Sequence, residues 1–576
     1  MLRKIIYPLI LIALAYLLLV DDDAKVIITG IAIFLIGMTF MEDGFKLFSG
    51  GILEKVLSKT TNNIPKAIFT GFLSTSIVQS SSLISVVIIS FLSAGLISLS
   101  GAIGVIFGSN IGSTTTAWIV SSFGMEIKIA AFAFPMIIFG VIFRFSDNKS
   151  YKGLGNVLLG LGFVFLGISY MKEGFDTLKN GIDLSQFAIE GNLGILIYIL
   201  IGLLATVVIQ SSAATMALII TALMTNQILY INALELAIGA NIGTTVTAVV
   251  AAISSNANGK RLAVAHFIFN ITTAIIAIAF LYQLADLVSV LASKIGILED
   301  NYAMKLALFH TIFNIIGVLL VSPFTYKLES FLATLFKDEK TSKLKAKFLD
   351  DIVISVPDAA IEAIKNETIH LYENSVEVIS HALYLHRHNY LGSHDISLVV
   401  KNSNAQINID INEFYSSKIK SLYGEIIHFS VLAQENMDND YKNKIYSYKL
   451  ASKDIVEAIK NIRDLHKNII FYLKSDNSFI KEEYNYLRTN IAKTINTIND
   501  LKNDKDDVKA FKNLEILEYE IMQLGDLHNE KIDTLIRKNQ ITSTMATSLI
   551  NDSTYTHSIS KNLIDVARIL WIDDKK

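Results

Sequence analysis

The 576-residue chain contains no cysteine, five prolines and two tryptophans. Without cysteine it has no disulfide, no thiol chemistry and no cysteine-ligated metal site. Its formal net charge is only −3, so bulk electrostatics give no support for nucleic-acid binding. Charged side chains are also missing from two long runs, residues 67–125 and 191–234. Each run is longer than the roughly 20 residues that one membrane helix needs.

Hydrophobic residues, 52% of the chain, are concentrated before residue 335, whereas Lys, Asp, Glu and Asn dominate the remainder. This split predicts a membrane domain followed by a cytosolic helical domain. The charged start and apolar run of residues 1–20 lack a small-residue cleavage site, which favours an uncleaved anchor. We therefore expect an N-terminal anchor at 1–25, a first repeat at 26–150, a second repeat with the final membrane helix at 151–335, and the cytosolic domain at 345–576.

Two polar motifs occur twice each, within the charge-free runs or just after the second one. The first copy has Gln-Ser-Ser-Ser at 79–82 and Gly-Ser-Asn-Ile-Gly-Ser-Thr at 108–114. The second copy has Gln-Ser-Ser-Ala at 210–213 and Gly-Ala-Asn-Ile-Gly-Thr-Thr at 239–245. Close helix packing explains the small residues, but it does not require Gln and Asn at matched spacing in both copies. The motifs therefore predict two copies of one unit that builds a polar site.

The hydropathy pattern predicts eight membrane crossings, at about 5–20, 26–48, 101–122, 127–145, 152–175, 232–254, 261–284 and 302–324. Two further apolar segments, at about 66–98 and 194–228, carry the Gln-Ser-Ser motifs and are predicted to be re-entrant hairpins. The distribution of Lys and Arg favours cytosolic N- and C-termini. The predicted fold class is an all-α polytopic membrane protein.

A second sequence match extends the duplication, since residues 37–45 resemble residues 167–175. Each unit then has three crossings and one hairpin, and an odd number of crossings makes the second copy enter from the opposite face. This predicts two inverted repeats, with a substrate site near the bilayer midplane between them. A cytosolic helical bundle follows the repeats.

The motif residues offer amides, hydroxyls and glycines that permit a helix break. A broken helix presents free N–H groups at one end, which suit an oxyanion, and free carbonyls at the other, which suit a hard cation. Because Lys and Arg are missing from both runs, neutral dipoles alone would have to hold an anion. We therefore expect Na⁺ to supply the missing positive charge.

The doubled motif resembles the type II sodium/phosphate cotransporters over roughly residues 26–325. The resemblance implies Na⁺-coupled transport of inorganic phosphate by alternating access. Ala213 and Ser113 depart from the family pattern, where a serine and a threonine are expected. By position, the phosphate-binding residues would be Gln79, Ser80, Ser81, Ser82, Gln210, Ser211 and Ser212. The sodium-binding residues would be Asn110, Ser113, Thr114, Asn241, Thr244 and Thr245.

This interpretation makes the protein a multi-pass protein of the cell inner membrane, with phosphate, Na⁺ and the lipid bilayer as partners. It predicts no enzyme activity, no catalytic residue, no organic cofactor, no metal besides sodium and no nucleic acid, since no phosphate-binding loop, dinucleotide fingerprint or zinc-protease motif occurs. Two alternatives stay open. One is a membrane sensor of phosphate or ions that signals through the C-terminal domain, and the other is a transporter or channel for another anion.

Three further polar residues lie in apolar segments. His266 and His310 each precede an asparagine by four residues, and we expect hydrogen bonds between helices rather than a proton relay. Glu235 takes the place of Gly104 of the first copy. It is a cation ligand, a protonatable coupling group or a residue in water at the outer end of its helix, and the last is expected.

The segment from about residue 348 to 571 has helical periodicity and predicts a bundle of about six helices. It loosely resembles a PhoU-type module, which implies a regulatory domain with its own partner. The sequence shows no pair of the acidic motifs that go with such modules. A homo-oligomer is compatible with the whole arrangement.

Overall fold

The structure is a computed structural model that describes residues 15–16, 18–49, 56–57, 59–126, 129–181, 189, 191–253, 255–337, 346–393, 395–403, 405–407, 410–503 and 507–572. These residues are largely helical and contain no strand. The chain divides into two compact units, Met1–Asp338 and Glu339–Lys576. The predicted first crossing at 5–20 lies largely outside the described residues.

The described part of the first unit contains fourteen α-helices, many of them apolar on all sides. They are α1 Asp22–Ser49, α2 Ile64–Val78, α3 Ser81–Ser93, α4 Leu99–Glu126, α5 Ile129–Arg144, α6 Lys149–Gly181, α7 Gly191–Ile209, α8 Ser212–Met224, α9 Tyr230–Gly243, α10 Thr245–Ala252, α11 Ala257–Ala279, α12 Leu281–Lys294, α13 Tyr302–Val321 and α14 Thr325–Leu335.

Seven helical segments within the described ranges are long and apolar enough to cross a membrane, which agrees with a polytopic membrane protein. They are Asp22–Leu47, Leu99–Ser122, Lys149–Lys179, Gly191–Ile209, Tyr230–Ala252, Ala257–Ala279 and Tyr302–Leu335. The predicted crossing at 127–145 corresponds to the shorter helix α5. The predicted crossing at 261–284 is interrupted near Phe280, where the separate helix α12 begins.

Helices α1 and α6 pack antiparallel through glycines spaced seven residues apart. A Cβ on Gly30 would lie 2.8 Å from the carbonyl oxygen of Gly167, and a Cβ on Gly37 would lie 2.7 Å from that of Gly160. Only glycine lets two helix backbones approach this closely. The sequence match that aligns residues 37–45 with 167–175 also aligns Gly30 with Gly160 and Gly37 with Gly167. Exchanging the two copies therefore turns the Gly30–Gly167 contact into the Gly37–Gly160 contact, and the reverse.

The helices that carry the polar motifs pack in the same way in both copies. Gly108 of α4 packs against Ile68 of α2, and Gly239 of α9 packs against Ile199 of α7. In each pair a Cβ on the glycine would overlap the isoleucine backbone. Each copy thus has an equivalent helix–helix interface, and each interface holds a Gln-Ser turn next to a Gly-x-Asn segment.

The described part of the second unit is also all-helical, and six of its helices have 14 residues or more. Its α-helices are α15 Pro357–Ala382, α16 Arg387–Tyr390, α17 Ile396–Asn402, α18 Ile411–Phe414, α19 Lys420–Ala433, α20 Asn439–Tyr472, α21 Ser478–Asn503, α22 Asp507–Arg537 and α23 Ser543–Ala567. Apolar faces of the long helices meet in a core that includes Ile455, Ile459, Ile491 and Leu563.

Candidate functional site

Two helices are interrupted at equivalent glutamines. Gln79 ends α2 and Gln210 ends α7, each with a φ of 57° in the left-handed region. The following serine, Ser80 or Ser211, is extended and caps the next helix, accepting a hydrogen bond from the backbone N–H of Leu83 or Ala214 at 3.2 Å. A non-glycine residue in this conformation costs about 1–2 kcal/mol. The same strained turn twice indicates that both copies need it.

The two turns line one cavity of about 200 Å³. This volume is below the roughly 300–1,000 Å³ of pockets for drug-sized molecules, so it suits a small ion. Side chains of both copies contribute, and Ala213 takes the place that Ser82 has in the first copy. The cavity is lined by Leu35, Met38, Thr39, Glu42, Gln79, Ser80, Ser81, Ser82, Ser113, Thr116, Thr206, Gln210, Ser211, Ser212, Ala213, Thr244 and Thr247.

Helices α3 and α8 both begin at this cavity. The first N–H groups of a helix have no partner within it, and they carry the positive end of the helix dipole. In each helix one such N–H is bonded to the capping serine. The two residues before it, Ser81 and Ser82 or Ser212 and Ala213, line the cavity. Two helix N-termini at one cavity are an arrangement that suits an anion.

The two glutamines differ in their surroundings. The Gln79 amide nitrogen donates to the Thr115 hydroxyl at 2.8 Å, and the Thr116 hydroxyl donates to the Gln79 carbonyl at 2.8 Å. Gln79 therefore ties its turn to α4. The backbone N–H of Gln210 donates to the Thr206 carbonyl at 2.7 Å. Its side chain is exposed and makes no hydrogen bond with the described residues. One reason is that Val246 stands where the first copy has Thr115.

The residues predicted to bind sodium fall into two groups. Ser113 and Thr244 line the cavity, and each hydroxyl donates to the backbone carbonyl three residues earlier. The other four do not line it. Thr114 accepts a hydrogen bond from Thr311 of α13 at 3.0 Å.

Asn241 connects three helices. Its amide nitrogen donates to the side-chain carbonyls of Asn270 at 2.7 Å and Asn314 at 3.4 Å. Asn110, its counterpart, donates to the backbone carbonyl of Ile106 at 2.8 Å. Thr245 donates to the carbonyl of Ile242 at 2.8 Å. The Asn241 bonds therefore join separate helices, whereas those of Asn110 and Thr245 are local.

The sequence analysis missed several cavity residues on α1, α4, α7 and α10. The motifs drew attention to the turns, whereas Glu42 and Thr39 belong to the flanking match at residues 37–45, and Thr206 lies one helical turn before Gln210. Glu42 is the charged residue among those that line the cavity. The Thr206 hydroxyl is buried and has no hydrogen-bond partner among the described residues.

The predictions for His266, His310 and Glu235 agree with the structure to different degrees. The hydrogen bonds of Asn270 and Asn314 to Asn241 confirm that the two His-x-x-x-Asn segments join helices. The histidines themselves do not take part, because Nδ1 of His266 and of His310 has no partner in the described structure. The expectation that Glu235 lies in water is wrong. Its side chain is 3% exposed and accepts a hydrogen bond from Asn232 at 3.1 Å.

A polar, ion-sized cavity among membrane-length helices is typical of membrane transporters. The Na⁺/Pi-cotransporter family profile matches residues 33–173. "Uncharacterized protein YqeW" of Bacillus subtilis (strain 168) is 31% identical over 251 residues, which are 44% of this chain and 80% of that protein. The chain belongs to the Na⁺/Pi-cotransporter family. This is a family of transporters and not an enzyme class, as the sequence predicted.

Further relatives match the chain at lower identity. The protein named "Putative inorganic phosphate export protein YjbB" of Escherichia coli (strain K12) is 27% identical over 262 residues. Its namesake in Salmonella typhimurium is 26% identical over 268 residues. The matches cover 45% and 46% of this chain, and 47% and 48% of those relatives, about half their length. No solved structure matches the chain.

Proposed function

We propose that the protein transports inorganic phosphate across the cytoplasmic membrane, coupled to Na⁺, by alternating access. The observation that carries this proposal is one small cavity on which both Gln-Ser-Ser turns and two helix N-termini converge. All seven residues predicted to bind phosphate line it: Gln79, Ser80, Ser81, Ser82, Gln210, Ser211 and Ser212. Of the predicted sodium residues, Ser113 and Thr244 are placed to contact an ion in the cavity.

The charge of the site supports coupling to a cation. Neither lysine nor arginine lines the cavity among the described residues. Each helix N-terminus supplies about half a positive charge, so two supply about one, and divalent phosphate carries two negative charges. An unpaired ion in a low-dielectric site costs on the order of tens of kcal/mol by simple solvation estimates. Bound Na⁺ would provide the compensating charge, and phosphate could then enter only together with it.

The exchanged helix contacts support inverted repeats and alternating access. Equivalent helices of parallel repeats do not pack against each other antiparallel through reciprocal contacts, whereas those of inverted repeats do. The Gly30–Gly167 and Gly37–Gly160 contacts have this reciprocal form. In such transporters the two repeats exchange conformations to open the shared site to either side. The Gln-Ser turns would then be the tips of two re-entrant hairpins.

The proposed direction is uptake, driven by an inward Na⁺ gradient, with both termini in the cytosol. Alternating access is reversible, so the gradients decide the direction, and the relatives named for phosphate export fit the same mechanism run outward. We further propose that the second unit, all-helical in its described residues, is a PhoU-like domain that regulates transport. Its removal near residue 345 should then change the response of uptake to phosphate supply.

The test is uptake of labelled phosphate into proteoliposomes that contain the purified protein. An inward Na⁺ gradient should drive accumulation, whereas an equal K⁺ gradient should not. Ser211→Ala removes the cap of α8 and a cavity hydroxyl, and its uptake should fall. Counterflow of labelled phosphate separates a transporter from a sensor, which shows none. Competition by sulfate as strong as that by unlabelled phosphate would favour a transporter of another anion.

A further inference from the structure

Glu42 places a carboxylate in the wall of a cavity proposed to hold an anion. It lies on α1 and accepts a hydrogen bond from the Ser80 hydroxyl at 3.2 Å, so it is one hydroxyl away from the first Gln-Ser turn. Like charges in so small a space repel each other strongly. Phosphate and an ionised Glu42 are compatible when a cation lies close to both.

We propose that Glu42 is a Na⁺-binding residue of the transport site, and that Lys46 competes with Na⁺ for its carboxylate. This inference rests on the proposed function and names a cation ligand that the duplicated motifs do not contain. Oxygen atoms are the ligands that hard cations prefer. Glu42, Thr39 and Ser80 all line the cavity and offer a carboxylate and two hydroxyls, and Ser80 is hydrogen-bonded to Glu42.

Lys46 is the cation that pairs with Glu42 in this structure. It lies one helical turn further along α1, and its Nζ is 2.9 Å from the carboxylate of Glu42. Its side chain is 48% exposed, so it can move into water when another cation takes the carboxylate. The pair then works as an exchange, in which Na⁺ displaces a tethered ammonium group.

The acidic group belongs to one copy only. In the alignment of residues 37–45 with 167–175, Lys172 stands opposite Glu42. The cation site is therefore asymmetric, unlike the serine turns, and its carboxylate comes from the first copy.

The rival explanation is structural, with Glu42 merely orienting Ser80. The two explanations differ in their response to three variants. Glu42→Gln keeps an oxygen that can accept from Ser80 but removes the charge. Lys46→Gln removes the competitor. Asp43→Asn is the matched control, because Asp43 is an exposed acid of the same helix and does not line the cavity.

The experiment measures equilibrium binding of ²²Na⁺ to the purified full-length protein, together with the Na⁺ dependence of phosphate uptake in proteoliposomes. We expect Glu42→Gln to weaken Na⁺ binding about tenfold, the loss of one charge-assisted contact. Lys46→Gln should tighten it by about threefold, since an exposed ion pair no longer has to be broken. Asp43→Asn should bind Na⁺ like the wild type.

Opposite shifts of the Na⁺ affinity in Glu42→Gln and Lys46→Gln support the exchange. A structural contact would instead make Na⁺ binding weaker in both variants or leave it unchanged in both. Wild-type Na⁺ affinity in folded Glu42→Gln overturns the inference, as does weaker Na⁺ binding in Lys46→Gln. If Glu42→Gln does not fold, the direction of the Lys46→Gln shift decides. Absence of Na⁺-driven phosphate uptake by the wild type would instead sink the proposed function, while ²²Na⁺ binding still tests Glu42.

Discussion

Gln79 and Gln210 share a backbone φ of 57° but not a side-chain environment. The amide of Gln79 exchanges hydrogen bonds with Thr115 and Thr116, whereas the side chain of Gln210 is exposed at the cavity. The duplicated turn therefore has one copy fixed by its neighbours and one copy with its amide available to a ligand. This difference predicts that Gln79 contributes more to stability and that Gln210 contributes more to ligand binding.

The first prediction concerns these two glutamines. Gln79→Ala removes hydrogen bonds worth about 1 kcal/mol each, so the purified protein should unfold at a lower temperature. Gln210→Ala should keep the unfolding temperature of the wild type and raise the KM for phosphate about tenfold, since it removes only a ligand contact. Thermal unfolding in detergent and uptake in proteoliposomes measure both. Equal loss of stability in the two variants would contradict the assignment.

A second prediction uses Ser82 and Ala213, which hold equivalent positions in the cavity wall. Ser82→Ala removes one hydroxyl donor, and a single hydrogen bond of about 1 kcal/mol corresponds to roughly a fivefold higher KM for phosphate. Ala213→Ser adds a hydroxyl at the matching place and should lower the KM. Uptake measured at graded phosphate concentrations gives the KM of each variant. An unchanged KM in both variants would show that phosphate does not reach these helix ends.

The third prediction tests alternating access by labelling single cysteines, which the cysteine-free chain permits without background. Met38 lines the cavity, whereas its counterpart Ile168 is 1% exposed. In the conformation described here, a thiol reagent should modify Met38→Cys and leave Ile168→Cys unmodified. Exchanged repeats should reverse this pattern under conditions that favour the opposite conformation. If saturating phosphate and Na⁺, in either gradient direction, never raise the labelling of Ile168→Cys, the exchange is refuted.

The fourth prediction concerns pH and the second unit. Burial raises the pKa of Asp552 to about 6, and the Tyr484 hydroxyl donates to its carboxylate at 2.5 Å. The unfolded pKa of an aspartate is about 3.9, so the folded state binds the proton more tightly. Stability should therefore be lost as pH rises from about 4 to above 6, by at most about 3 kcal/mol at 1.36 kcal/mol per pKa unit.

Asp552→Asn removes that titration. The variant should resist urea better than the wild type at pH 7.5 and equally well near pH 4.5. Fluorescence of Trp571, which contacts Tyr372 in the second unit, reports the transition in the full-length protein, with Trp118→Phe as the common background. A wild-type unit that gains stability as pH rises through 6 would contradict the burial of a protonated Asp552.

The sequence predicted the cavity residues of the turns because Gln and Ser are costly in an apolar segment unless they build a site. The identical spacing of Gln79 to Asn110 and of Gln210 to Asn241 then predicted that both copies share one structure. The long helices of the second unit were also predictable, since their apolar faces repeat with helical period.

Other features depend on tertiary contacts that no motif encodes. Asn241 and Thr114 have the same residue types as cavity residues, yet they bond to neighbouring helices, and only packing decides between these fates. Glu235 was expected in water because of its charge, but Asn232 and the surrounding helices bury it. Glu42 was missed because its pairing with Ser80 joins residues far apart in the chain.

The central claim is that a cavity without a basic side chain accepts phosphate only together with Na⁺. The most direct test is equilibrium binding of labelled phosphate to the purified protein in Na⁺ buffer and in choline buffer of equal ionic strength. We predict saturable phosphate binding in Na⁺ and its loss in choline. Phosphate binding of equal affinity in both buffers would contradict the account.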